Sequence, residues 1–514
     1  MSPFETLDQH YDAALLCLDP EHVFLMDEET KVLFRDFQGL VRRLLGGLNR
    51  AGVSQGHLVG YSVPNSAAAF ALPIAISRLG AACLPLYPLV PDTARSSAFT
   101  HGRVTYVIVP RESKESFEII ASTNGANYRI FALEDLMEEV EVPLPVARAQ
   151  ATDPFLLTTS SGTTGKPKAV FLTQRNAASS LTAAQELSSY GPWFQRPNYL
   201  TMIAFPQSTS GIITLLGIAF MGVTLVFTRS LSPVRFLEIA RTVRVDTISA
   251  PPAWFEALLS VPQADEQSIE SVCGIATGMD FLSPSLLKRL GLLFPSLESV
   301  ANGYGLVETA TVFMIWKGQG RDSLSGPTSV FSLCSSLSNE ICVCGDEGKK
   351  VAPGEEGELY VRGPSVIERY LDSSEGFYDG WFRTGDIVRF IDSHTVQLRG
   401  RNKYVIKRGG KSISPLLVEE AVDSSPGVLR SAVVGIPHPL FGEMIWAFVV
   451  ARPGEETTIA TIMKAVRAIL PTHMVPDRIE FVSAIPVGRG VGKVDREALI
   501  VQGTALLQTM GQSA

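Results

Sequence analysis

The chain is predicted to be an α/β protein with a large N-terminal domain of parallel-rich sheets flanked by helices, followed by a small α+β C-terminal domain. Its 514 residues exceed what one ordinary core organises, so more than one domain is expected. Residues 34–110 alternate helical spacing with short β-branched runs, the pattern of helices packed on largely parallel strands. From residue 404 onward that alternation gives way to a short mixture of strands and helices.

The elements follow in order. Phe34–Ala51 has apolar residues at helical spacing and stops near Gly52. His57–Val63 reads as a strand, Ser66–Leu79 as a helix closed by Gly80, and Ala81–Leu86 as a strand running into turns at Pro85, Pro88 and Pro91. Val104–Val109 is a further strand, and no Gly-x-Gly-x-x-Gly follows an early strand, which sets a dinucleotide fold aside. Ile203–Thr228 carries no charge, but Gly222 divides it into a helix-like Gly211–Met221 and a strand-like Val223–Phe227. Without flanking anchors it reads as a buried helix and strand rather than a membrane span. Asp246–Trp254 is a strand entering a proline turn. The tail is expected to hold helices at about 416–424 and 459–470 and strands at 431–436, 446–451 and 478–482.

Composition narrows the partners. Hydrophobic residues make up 46% and charged residues 19%, which is globular. Net charge is −8, from 44 basic and 52 acidic residues without a long basic run, so neither nucleic acid nor a polybasic membrane contact is expected. Six cysteines, Cys17, Cys83, Cys273, Cys334, Cys342 and Cys344, show no Cys-x-x-Cys and no histidine cluster, which suits a reducing, cytoplasmic setting. The first residues, MSPFETLDQH, show no secretory signal, and the last, GQSA, no lipidation or peroxisomal signal. No integral membrane association is expected.

Leu157–Val170, LTTSSGTTGKPKAV, is the stretch around which the chemistry is organised. Its hydroxyls and glycines cannot pack a core, and Pro167 lacks the N–H of a continuing helix or central strand. Glycines that let backbone N–H groups converge, hydroxyl donors and the cations Lys166 and Lys168 suit a polyphosphate. The kinase and GTPase loop is excluded, because Ser160 stands where its first glycine belongs and Pro167 follows Lys166.

This run resembles the phosphate loop of the adenylate-forming superfamily, which includes acyl- and aryl-CoA ligases, stand-alone adenylation enzymes and luciferases. Ser161–Lys168 match the pattern Ser-Gly-Thr-Thr-Gly-x-Pro-Lys, and Ala169 replaces the glycine usual next. The resemblance spans nearly the whole chain, with its motifs in the family's order. It implies that Ser160, Ser161, Gly162, Thr163, Thr164, Gly165 and Lys168 hold the triphosphate. Phe205, Ser208 and Gly211, in AFPQSTSG, with Trp254, fall where the family lines its acyl pocket. No acid lies near Phe205 to neutralise an ammonium, so an α-amino acid substrate is disfavoured. Ala204 lacks the amide that would bond an ortho-hydroxyl.

Further matches assign the nucleotide. Gly278 in CGIATGMDF sits where the family approaches adenine, and ANGYGLVETA resembles its Tyr-Gly-x-Thr-Glu. By that resemblance Tyr304, within Gly303 and Gly305, stacks on the base, Asn302 bonds its edge and Glu308 holds Mg²⁺; Val307 replaces a threonine. Asp386, in Thr384-Gly385-Asp386, accepts the ribose hydroxyls, and Arg401 reaches the ribose or a phosphate. Arg369 replaces a common glycine and is read as peripheral. Lys403 falls at the family's hinge, dividing an N-terminal adenylation domain, 1–402, from a mobile C-terminal domain, 403–514. Lys493, in PVGRGVGK with one residue more than the family spacing, is the implied catalytic lysine. Lys407, Gly409 and Gly410 would face the thiol, unless the glycines are only a turn.

The implied chemistry joins ATP, Mg²⁺ and a small-molecule carboxylic acid to an acyl-AMP, then passes the acyl group to CoA or to the phosphopantetheine of a carrier protein. Lys493 then swings away to admit the thiol. Val307, Ser208 and the longer Lys493 loop leave open a third reading, a degenerate, non-catalytic nucleotide-binding protein.

Overall fold

A computed structural model describes residues 4–27, 29–88, 91–138, 141–143, 145, 149–160, 168–189, 198–201, 209–228, 230–261, 269–310, 312–319, 328–334, 338–345, 348–487 and 494–511. Within these, the chain forms three sheets. The first has six strands, in the spatial order 129–132, 106–109, 58–61, 82–85, 154–160, 168–173, and only its last pair is antiparallel. Helix Phe34–Arg50 shows why the parallel part closes: Phe34, Phe37, Leu40, Val41, Leu44, Leu45 and Leu48 recur at helical spacing and are buried on one face. Helix Ala67–Arg78 is buried nearly all round, and Ser66 caps it by accepting the Ala69 N–H. Pro73 lies inside this helix.

The largest sheet has 14 strands and two characters. Strands 23–26, 224–226, 198–201, 247–249, 274–278 and 299–305 run parallel to one another, as the alternating pattern predicts, with 31–33 added antiparallel at the edge beside 23–26. From 299–305 outward, through 312–319, 330–333, 395–401, 381–392, 356–362 and 340–344, every pairing is antiparallel. The expectation of parallel strands therefore holds for one half of this sheet and the six-stranded sheet. In the other half several neighbours in sequence pair directly, as 299–305 with 312–319 and 381–392 with 395–401 do, which only an antiparallel hairpin allows. The charge-free stretch folds as helix Thr209–Ala219 and strand Thr224–Val226, and no described helix is long and apolar enough to cross a membrane.

The third sheet has five strands, drawn from residues 406–481, and encloses its own core of Ile406, Val418, Val433, Ile445, Val449, Ile462 and Ile479. The expected tail elements appear at Pro415–Asp423, Val428–His438, Gly442–Ala451, Ile459–Ile469 and Arg478–Phe481. Several helices were not expected from the sequence, and two of them close the ends of the chain. Leu7–Cys17 starts with a Thr6/Gln9 capping box, and Arg496–Gly511 packs on strand 428–438. Arg496 anchors the latter, its guanidinium bonding both oxygens of Glu419 at 2.6 and 3.0 Å and the Val433 carbonyl at 2.7 Å.

Candidate active site

Close backbone packing builds the floor of the site. Strands 274–278 and 299–305 pair with Gly278 opposite Gly303, and a Cβ on Gly278 would lie 2.9 Å from the Gly303 carbonyl oxygen. A Cβ on Gly303 would meet Val312 at 2.5 Å. These glycines are thus required by the sheet itself, whatever lies above it. Asn302, buried on the same strand, and Gly305, opposite Val312, continue the floor. The strand ends in a tight 3₁₀ turn, Val307–Thr309, whose Thr309 hydroxyl accepts the Leu306 N–H at 2.9 Å. Ala310 leaves the turn in the left-handed region, with φ +58°. This reversal sets Glu308 against the 154–160 strand, 7% exposed.

Glu308 has a partner that sequence reading missed. The Tyr370 hydroxyl donates to Glu308 Oε1 at 2.8 Å, and Lys168 Nζ sits over the same ring, 4.7 Å from its centroid. Lys168 also pairs with Glu375 at 2.8 Å. Two backbone bonds hold the segment in place, Ile367 N–H to the Glu308 carbonyl at 2.9 Å and Leu371 N–H to the Ala169 carbonyl at 3.0 Å. The turn read as peripheral on account of Arg369 therefore supplies the tyrosine between acid and lysine. The only signal was a hydroxyl-bearing aromatic in a polar stretch.

A second cluster lies on strands 381–392 and 395–401, where Asp386 and Arg401 pair in register. Asp386 is 4% exposed; its Oδ2 accepts the Tyr304 hydroxyl at 2.6 Å and its Oδ1 faces Arg401 Nε at 3.1 Å. Arg401 Nη1 also donates to the Thr384 carbonyl at 2.7 Å. Burial, then the Asp386 charge, raises the Tyr304 phenol well above its ordinary value, so it stays a donor. Burial opposes the charge on Arg401, but Asp386, Tyr304 and Glu308 outweigh it and raise its pKa. The Tyr304 ring packs edge-on to Phe313 at 5.5 Å and tilted to Phe331 at 5.8 Å, which fixes the plane of the ring.

Strands 154–160 and 168–173 pair with Ser160 opposite Lys168, and the first of them packs against the turn that carries Glu308. Ser161, Gly162, Thr163, Thr164, Gly165, Phe205, Ser208 and Lys493 lie outside the described residues. Gly211 is buried in helix 209–219. Trp254 is held firmly in place: it is 9% exposed, meets Phe236 edge-on at 5.5 Å and donates its indole N–H to the Leu231 carbonyl at 2.6 Å.

At the junction, Lys403 lies in a 3₁₀ turn, Asn402–Tyr404, over the Tyr404 ring at 4.4 Å and 3.5 Å from Glu497. Arg496 approaches the same ring at 5.9 Å. Val487 and Val494 form an isolated antiparallel bridge on either side of the stretch that holds Lys493. Gly409 and Gly410, with φ +56° and +77°, form the two-residue turn of hairpin 406–408/411–413, which by itself demands glycine. Lys407 is exposed and donates to Ser412 at 2.8 Å.

Glu308 suits a hard divalent cation. Its Oε2 has no protein partner among the described residues, and a single carboxylate is the kind of oxygen ligand by which Mg²⁺ is held together with substrate phosphates.

Comparison with known proteins agrees with this geometry. The AMP-binding enzyme model matches residues 18–371, and the AMP-binding enzyme C-terminal domain model matches 417–490. A feruloyl-CoA synthase of Amycolatopsis sp is 28% identical over 483 residues, covering 90% of this chain and 92% of its own. An indoleacetate–CoA ligase of Aromatoleum aromaticum is 26% identical over 527 residues, covering 98% and 99%. Among solved structures, the anthranilate CoA ligase AuaEII with anthranoyl-AMP superposes with TM-score 0.82 at 21% identity, covering 97% of this chain and 98% of that one. ATP-bound MatB from Rhodopseudomonas palustris gives 0.81 at 22%, covering 98% and 99%. These two are likenesses of fold. With its family model matched across well over half its length, the chain belongs to the AMP-binding enzymes.

Proposed function

We propose that this chain activates an organic carboxylic acid with ATP and transfers the acyl group to CoA. The observation that carries the reading is the pairing of two charge-handling clusters at adjoining strand ends. Glu308 and Lys168 meet on Tyr370, and Asp386, Tyr304 and Arg401 form the other.

In the first half-reaction the substrate carboxylate oxygen bonds to the α-phosphorus, the bond to the β-phosphate bridging oxygen breaks, and pyrophosphate leaves with the electron pair. Two anions must approach, so the site supplies cations and alignment rather than a general base. Lys168 and the 160–165 segment take the β- and γ-phosphates, Asp386 and Arg401 the ribose, Tyr304 the base, and Lys493 the α-phosphate with the incoming carboxylate. Mg²⁺ held by Glu308 would neutralise phosphate charge. In the second half-reaction the CoA thiolate attacks the acyl carbon and AMP departs.

Residues 1–402 and 403–514 act as two lobes about Lys403. That the third sheet begins at Ile406 and encloses a separate core supports this division. Rotation removes Lys493 from the acyl-AMP and brings the 406–413 hairpin, with Lys407, Gly409 and Gly410, toward it. The substrate is an aryl acid rather than an α-amino acid: the relatives named for ferulate and indoleacetate support this, as does the absence of an acidic residue near Phe205.

The test is acid-dependent ATP–pyrophosphate exchange across a panel of aryl, acyl and amino acids, followed by CoA against holo-carrier competition. Exchange with aryl acids and a CoA thioester product are expected. Absence of exchange with every acid would replace the reading with a nucleotide-binding protein lacking catalysis.

A further inference from the structure

Tyr370 is 6% exposed, and its ring meets Phe377 edge-on at 5.5 Å while Phe377 lies 4.9 Å from Phe382. Packing therefore fixes the ring, and with it the direction of the hydroxyl. That hydroxyl occupies one oxygen of Glu308 and leaves the other for a cation; the ring face carries Lys168. The Ile367 and Leu371 backbone bonds staple the segment to the Glu308 turn and to the strand that carries Lys168. Glu308, Lys168 and Tyr370 come from positions as much as 202 residues apart, yet one side chain touches both charged groups.

We propose that Tyr370 is a positioning residue that orients the Glu308 carboxylate for the metal through its hydroxyl and places Lys168 for the triphosphate through its ring. This rests on the reading of Glu308 as the Mg²⁺ ligand. A ligating carboxylate left without its hydrogen-bond donor samples orientations in which its free oxygen is misdirected, and loss of such an outer partner weakens metal binding or activity about 10-fold to 100-fold. The ring contributes separately, because a cation over an aromatic face is held wherever the ring is held.

The two contributions separate by substitution. Tyr370→Phe keeps the ring and removes the hydroxyl; Tyr370→Leu removes both. Mn²⁺ binding to the ATP complex, read by electron paramagnetic resonance, is expected to weaken about 10-fold in Tyr370→Phe, with metal-free ATP affinity by calorimetry within about two-fold of the parent. Tyr370→Leu is expected to weaken metal-free ATP binding by a further three-fold or so. In a Glu308→Gln background, Tyr370→Phe should change Mn²⁺ binding no further, since the hydroxyl acts through Glu308. Unchanged Mn²⁺ affinity in Tyr370→Phe overturns the proposal. So does a loss of equal size in both Glu308 backgrounds, or parallel loss of metal and nucleotide binding with the melting temperature in both Tyr370 variants. None of these readouts uses the acid, so an inactive acid panel beside the expected binding pattern would remove the proposed reaction and leave this assignment standing.

Discussion

Asp386→Asn separates a ribose-binding carboxylate from a merely structural one. Asp386 already accepts the Tyr304 hydroxyl on one oxygen and faces Arg401 on the other, so ribose hydroxyls use its remaining lone pairs. Asparagine keeps one acceptor oxygen and replaces the other with an NH₂ group that cannot accept. One ribose hydroxyl therefore loses a charged acceptor, worth about 1.5–3 kcal/mol, which is about 10-fold to 150-fold in KM for ATP. Folding suffers less: Arg401 is 31% exposed and keeps the Thr384 carbonyl, so about 1–2 kcal/mol is expected. The assay compares ATP with 2′-deoxy-ATP and 3′-deoxy-ATP in acid-dependent pyrophosphate exchange, for parent and variant. At least one deoxy analogue should lose 10-fold or more with the parent and no more than about three-fold with Asp386→Asn, because the same interaction cannot be lost twice. Equal discrimination by both proteins would refute the ribose assignment, whatever happened to KM.

Three further outcomes are expected. Glu375→Gln frees Lys168 from a half-exposed ion pair of about 0.2–1 kcal/mol, so KM for ATP should fall up to about five-fold at low salt and less at high salt; a rise in KM contradicts the role of Lys168. Lys403→Pro stiffens the 402–404 turn and restricts Asn402, so acyl-AMP formation should persist while thioester formation falls; an undiminished thioester rate refutes the hinge. Asp423 is buried, which pushes its carboxyl from 3.8 up to about 8 against the pull of Ser431. Between those values the folded chain keeps a proton that the unfolded chain has shed, so stability declines as pH rises through that window, by on the order of 4 kcal/mol at pH 7. Asp423→Asn should flatten the melting temperature between pH 5 and 7.5 relative to the parent, and an unchanged slope would remove Asp423 as its source.

Local pattern made some of this legible and distance in sequence hid the rest. Helix 34–50 could be read because Phe37, Leu40, Val41, Leu44 and Leu48 repeat at helical spacing. Asp386 and Arg401 were each legible from the short motifs that resemble the family's, and the structure adds that a hairpin pairs them in register. The antiparallel half of the large sheet was not anticipated, although strand 381–392 alternates buried and more exposed positions along much of its length. Gly409 and Gly410 pointed to a close approach, and the structure shows the hairpin turn that alone requires them. Trp254 was assigned by its neighbours in sequence, whereas its indole N–H is engaged by Leu231, 23 residues away. Tyr370 escaped notice because its two partners are 62 and 202 positions distant, and no spacing rule connects them. The site is therefore legible as motifs, while the contacts that orient those motifs are products of the fold.

The central claim is that one pocket joins acid and nucleotide with a lysine contributed by the C-terminal lobe. Lys493→Ala tests it most directly, with both half-reactions measured on the same preparation. Acyl-AMP formation should fall to background while CoA thiolysis of supplied acyl-AMP continues near the parent rate. Equal loss of both, or full retention of the first, would contradict the account.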